Sequence, residues 1–113
     1  MLNNQASNGL KPGVVVALNA LSAYIPDSVV SRTLVKNDAG TVTFFAFAKG
    51  QALSQHSAPF NALVQVLDGE GVITIDEKEN LVKAGELILM PANVPHAVHA
   101  EQDFKMLLIM LKG

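Results

Sequence analysis

Residues 66–71, VLDGEG, and residues 90–98, MPANVPHAV, carry the most specific signal in this 113-residue chain. The first joins two apolar runs, 62–67 (ALVQVL) and 72–75 (VITI), through a glycine-containing turn. The second sets Pro91 and Pro95 between the runs 87–90 (LILM) and 97–100 (AVHA). Short apolar or alternating runs broken by Gly, Pro, Asn and Asp are the pattern of strands, not of helix.

The same rhythm continues on either side. Residues 29–35, 41–48 (TVTFFAFA), 52–57, 79–82 and 106–111 (MLLIML) read as strands, and Asn37-Asp38-Ala39-Gly40 reads as a hairpin turn between the first two. Residues 14–17 (VVVA) read as a further strand, and 19–24 (NALSAY) as one or two helical turns, with Asn19 as N-cap and Pro26 ending them. About ten strands with turns every 8–12 residues predict one all-β sandwich or barrel. Residues 1–12, polar at the start, are expected to be a flexible N-terminal segment, leaving 13–113 as the single domain.

Half the residues are apolar and 16% are charged, which excludes a disordered chain. Net charge is −2, and the 8 basic residues, Arg32 the one arginine among them, form no stripe, so no nucleic-acid partner is expected. There is no cysteine, hence no disulfide or thiolate chemistry. The start lacks a cationic and apolar leader pattern, and the longest apolar run, 106–111, is far below the roughly 20 residues of a membrane helix. A cytoplasmic protein with no membrane partner is therefore expected. The apolar excess and the doubly apolar runs VVVAL and MLLIML predict a homodimer that hides a second face.

Gly50-QALSQ-His56-SAPFNALVQVLD-Gly69 and Gly85-ELILM-Pro91-ANVP-His96-AVH-Ala100 together resemble the two motifs of the cupin superfamily, G-x5-H-x-H-x3-4-E-x6-G and G-x5-P-x-G-x2-H-x3-N. The resemblance covers roughly residues 29–111 and implies a small single-domain cupin, an antiparallel β-barrel of the double-stranded β-helix (jelly-roll) type. It also implies where a metal would sit in relatives, on two His and a Glu from the first motif and one His from the second. Carried over by position, His56 and His96 remain, Ala58 stands for the second His and Ala62 for the Glu; Asn93 replaces the second motif's Gly and Ala100 its Asn.

Strand alternation places His56 and Ala58 on one face, Ala62 and Val64 on one face, and His96, Val98 and Ala100 on one face. These residues define the expected pocket, larger and drier than in a four-ligand relative. His99 has the opposite parity to His96. Gln65 has the opposite parity to Ala62 and would join the pocket only through a bulge. Arg32 in VVSRTLV reads either as an inward contact for an anionic ligand or as a solvated or interface residue. Phe44, Phe45 and Phe47 read as packing, with Phe45 opposite the other two; Met90, Met106 and Met110 read as core filler, and Phe60 as a lid on the mouth.

Two neutral imidazoles leave most of a divalent ion's coordination sphere to water, so any Zn, Fe, Mn or Ni would bind weakly. Three functions stay open. The first is binding of a small organic molecule between His56 and His96 without metal. The second is a metal-dependent enzyme of dioxygenase, isomerase or decarboxylase type using a divalent ion on His56 and His96. The third is a metal-free enzyme in which one histidine moves a proton. No carboxylate pair, nucleophile elbow or phosphate loop is present to support other chemistry.

Overall fold

The computed structural model describes residues 9–112. Among the described residues nine strands follow one short 3₁₀ turn, Leu18–Ala20. They are β1 (Val29–Asn37), β2 (Gly40–Phe47), β3 (Ala52–His56), β4 (Asn61–Asp68), β5 (Glu70–Ile75), β6 (Lys78–Lys83), β7 (Leu87–Met90), β8 (His96–His99) and β9 (Phe104–Leu111). Every pairing is antiparallel, in a five-stranded sheet of order β1-β2-β9-β4-β7 and a four-stranded sheet of order β3-β8-β5-β6. The chain is an all-β jelly roll. Among the described residues no helix is long and apolar enough to cross a membrane.

Local chemistry explains the turns. The β1–β2 hairpin closes at Asp38-Ala39, where the Asn37 side-chain oxygen accepts from the Ala39 N–H at 2.7 Å. Asp76 and Glu77, at φ 50° and 69°, make the two-residue turn between β5 and β6, whose doubled positive φ matches the strands' own twist. Gly69, at φ 69°, turns β4 into β5 so closely over the Asp103 carbonyl that a Cβ would approach it to 2.3 Å.

The main core lies between the sheets and follows the alternation of β4, where Ala62, Val64 and Val66 face inward. Phe47 and Phe104 stack there with ring centroids 4.7 Å apart and planes 8° from parallel. Such a pair adds about 0.5–1.5 kcal/mol beyond the burial of its area. Gly71 makes the stack fit: a Cβ at that position would lie 2.5 Å from the Phe104 ring. Phe45 joins Phe47 on this inner face, at 5.7 Å, while Phe44 points outward. The expected grouping of Phe44 with Phe47 is thereby corrected, since residues two apart on a strand share a face.

A second cluster on the outer face of the five-stranded sheet holds Leu34, Phe44 and Ala46 under Leu21 and Tyr24 of the N-terminal strap. Polar bonds pin the strap. The Tyr24 hydroxyl donates to the Asp68 carboxylate, the buried Lys105 ammonium donates to the Asn19 carbonyl at 2.6 Å, and Arg32 donates to the Leu21 carbonyl at 3.3 Å. Lys105 also lies 4.9 Å from the Tyr24 ring centroid.

Two local expectations change. Among the described residues, 14–17 form no strand: the Val14 N–H donates back to the Lys11 carbonyl, and Val15 is 96% exposed. Extended residues become a strand only where a neighbour completes the ladder. The helical turn begins one residue before Asn19, and Ala17, which has no capping side chain, occupies the N-cap. Residues 1–8 of the expected flexible segment lie outside the described residues, and the Leu10 N–H donates to the Leu34 carbonyl at 2.9 Å.

Candidate functional site

His56 closes β3 and His96 opens β8, and the two are direct cross-strand partners in the four-stranded sheet. Their approach is built by loops. The Asn93 N–H donates to the Ala58 carbonyl at 2.7 Å and the Ala92 N–H to the Asn61 side-chain oxygen at 2.9 Å, clamping the loop after His56 onto the loop before His96. Asn93 sits at φ 66°, a left-handed conformation that Asn tolerates better than other non-glycine residues.

The imidazoles meet edge to face, with centroids 4.4 Å apart and planes at 70°. Their Nε2 atoms are 3.3 Å apart. On the far side of each ring, Nδ1 meets a backbone carbonyl two residues upstream, Ser54 at 3.2 Å for His56 and Val94 at 3.3 Å for His96. A carbonyl only accepts, so each Nδ1 carries the ring proton. With the proton on each Nδ1, the two Nε2 positions face one another. That contact becomes attractive when a proton, a donor group or a cation lies on it. Burial first, and the His56 ring second, push the His96 pKa below the ordinary histidine value, partly opposed by the Val94 carbonyl.

Around this pair lies a cavity of about 40 Å³ lined by Ala58, Ala62 and Val98, by Leu53, Phe60 and Leu108, and by Met90, Met106 and Met110. Larger hollows, about 540 Å³ beside residues 9–12 and about 300 Å³ beside Tyr24, open on the outer surface away from the histidines. The cavity wall is mainly apolar and its volume is small, because methionine, leucine and phenylalanine side chains occupy the room beside the two alanines. A few tens of Å³ admit an ion or a water or two, whereas drug-sized ligands need about 300 Å³ or more.

Of the residues singled out in the sequence, the structure brings His56, Ala58, Ala62, His96 and Val98 together. Val64 and Ala100 face the same interior but are fully buried in the core, away from the cavity wall. Gln65 stands on the outer face opposite Leu87 and Leu107, because the bulge in β4 falls after it, between Val66 and Asp68. Arg32 stays on the outer face with the strap, on β1, two strands from β9, the nearest strand of that sheet to line the cavity. His99 is exposed, with parity opposite to His96. Met90, Met110 and Leu108 were not read as site residues. Their signal is their cross-strand position: Ala62 pairs with Met90 on one side and Met110 on the other, and Val64 pairs with Leu108.

The profile of the cupin domain family matches residues 43–112. The chain belongs to the cupin family. This cupin is similar to a conserved protein of unknown function from Streptococcus pyogenes, with 38% identity and a TM-score of 0.87 over 92% of this chain and 91% of that one. It is also similar to a cupin 2 conserved barrel domain protein from Leptotrichia buccalis, with 47% identity and a TM-score of 0.82 over 84% of this chain and 46% of that one. A cupin superfamily protein from Desulfitobacterium hafniense matches with 29% identity and a TM-score of 0.85 over 92% and 95% of the two chains. No curated protein matches.

The four-ligand metal set of the cupin motifs does not fit this cupin. Two imidazole donors are present, and their 3.3 Å separation is the edge that cis nitrogens span on a tetrahedral ion with bonds of about 2.0–2.1 Å. The other two donors are replaced by Ala58 and Ala62, and among the described residues no three His, Cys, Asp or Glu side chains gather. Without the carboxylate, nothing offsets the charge of a hard divalent ion.

Proposed function

We propose that this cupin is a binding protein that holds a small ligand at the inner mouth of its barrel, with the Nε2 atoms of His56 and His96 as the recognising pair. The observation that carries this reading is the convergence of two Nε2 atoms at 3.3 Å while both Nδ1 atoms are occupied by carbonyls. Such a pair recognises a ligand that supplies a donor hydrogen or a positive centre. An organic ligand would need Phe60, on the loop between β3 and β4, to swing outward. The cytoplasmic location and the homodimer expected from the sequence belong to the same reading. The exposed Leu87 and Leu89 on the outer face of β7 support the dimer.

The test is a thermal-shift screen of metabolites and ions on wild type beside His56→Ala and His96→Ala. Ligands that stabilise wild type and lose their effect in both variants support the proposal. Hits that stabilise all three proteins equally refute it.

A metal-dependent enzyme of dioxygenase, isomerase or decarboxylase type is the second reading, favoured by the cis-ligand spacing of the two nitrogens. Near-stoichiometric Zn, Fe, Mn or Ni in purified protein, lost in the double histidine variant, would replace the first reading with it.

A further inference from the structure

Ala62, where the motif's carboxylate would stand, is bracketed in register by two thioethers. Met90 of β7 pairs with it on one side and Met110 of β9 on the other. Directly opposed residues of antiparallel strands project from the same face with Cβ atoms about 4.5–5.5 Å apart. Both methionines therefore reach the space from which a carboxylate on this strand position would have approached the histidines, and both line the cavity with His56 and His96.

The chemistry of this set differs from that of a carboxylate site. Two ring nitrogens and three polarizable sulfurs, the third that of Met106, surround a cavity of about 40 Å³ with no anionic side chain on its wall. A hard dication would bring two uncompensated charges into an apolar wall. The Born penalty grows with the square of the charge, so a monovalent ion pays about a quarter of it. Among biological cations, the one that prefers thioether and imidazole to oxygen, and that carries a single charge, is Cu(I). Met110 is half-buried and Met90 nearly fully buried, so the sulfur side of the site is shielded from water.

We infer that His56, His96, Met90 and Met110 form a binding site for a soft monovalent cation, Cu(I), with the two thioethers in place of the lost carboxylate. This rests on the reading of the histidines as the ligand-binding pair and names the class of ligand.

The full-length protein is titrated anaerobically with Cu(I) against a chromophoric Cu(I) chelator, with Ag(I) as a second soft probe and Zn(II) and Mn(II) in parallel. One equivalent of Cu(I) is expected, bound in preference to Zn(II) and Mn(II). Affinity is expected to fall by more than about tenfold, the loss that an outer-shell partner alone can cause, in Met90→Leu/Met110→Leu. His56→Ala/His96→Ala is expected to abolish binding. In wild type labelled with ¹³C-methyl methionine, the two methyl signals assigned by their loss in Met90→Leu and in Met110→Leu should shift on addition of Ag(I). Unchanged Cu(I) affinity in the double leucine variant, or no methyl shift, overturns the thioether site and leaves the histidine pair standing. No Cu(I) binding beside a histidine-dependent organic ligand does the same. If neither ion nor compound binds in a histidine-dependent way, both the copper site and the parent reading fall.

Discussion

The N–H of Asn93 donates to the carbonyl of Ala58 at 2.7 Å and, with the Ala92 N–H on the Asn61 side chain, holds the His56 loop against the His96 loop. Asn93 makes this bond from the left-handed region, at φ 66°. Asn93→Gly should keep both histidines in place with stability unchanged or slightly raised. Asn93→Val should cost about 1–3 kcal/mol, since a β-branched residue is strained in that region. Urea denaturation and the histidine ring signals in NMR check both outcomes.

Gly71→Ala should destabilise by about 1–3 kcal/mol, the cost of forcing an extra carbon into a filled core. The Phe104 ring it would strike is fully buried and stacked on Phe47, so it has nowhere to retreat. Thermal unfolding by calorimetry reads the effect, and near-ultraviolet circular dichroism should report the disturbed stack.

Stability should fall on acidification because His96 is held neutral in the fold. Its folded pKa lies below the ordinary 6.5 of the unfolded chain, so below that pH the unfolded chain binds more protons than the native one. The stability is complete above about pH 6.5 and is lost as pH falls toward the depressed folded value. Wild type should lose more melting temperature between neutral and mildly acidic buffer than His96→Gln does. Equal losses in both proteins would place the acid sensitivity elsewhere.

Ala58→His/Ala62→Glu should restore the motif's four donors and give the barrel a four-donor site for a divalent ion. The metal-free variant should melt lower than wild type, since Ala62 is 4% exposed and a buried carboxylate without its metal is costly. Added Mn(II), Ni(II) or Zn(II) should raise its melting temperature and leave wild type unmoved. Calorimetric titration gives the stoichiometry, expected to be one.

Leu87→Glu/Leu89→Glu should convert the expected homodimer to monomer. These side chains are 61% and 51% exposed on an edge strand, next to the half-buried Leu63 and Ile109 of the same outer face. Light scattering after size exclusion distinguishes the two masses, and a monomeric wild type would remove the dimer.

The strands were legible because their signal is local. Alternation in 62–66 and the turn residues at Asn37–Gly40 each act within a few residues. Residues 14–17 show where that logic stops: a β-branched run reads as a strand, yet it needs a neighbouring ladder, and the fold supplies none among the described residues. The strap's anchors were hidden for a related reason. Nothing near Lys105 in the chain announces a buried ammonium that bonds to Asn19.

The same division runs through the site. The resemblance to the cupin motifs, carried over by position, singled out His56 and His96 and implied that Ala58 and Ala62 stand where two further ligands would. Only the tertiary structure placed the two Nε2 atoms 3.3 Å apart, moved Gln65 and Arg32 outside, and set Met90 and Met110 on either side of Ala62. Those facts depend on which strands become neighbours and in what register. Register is settled by the packing of both sheets together, not by any one segment.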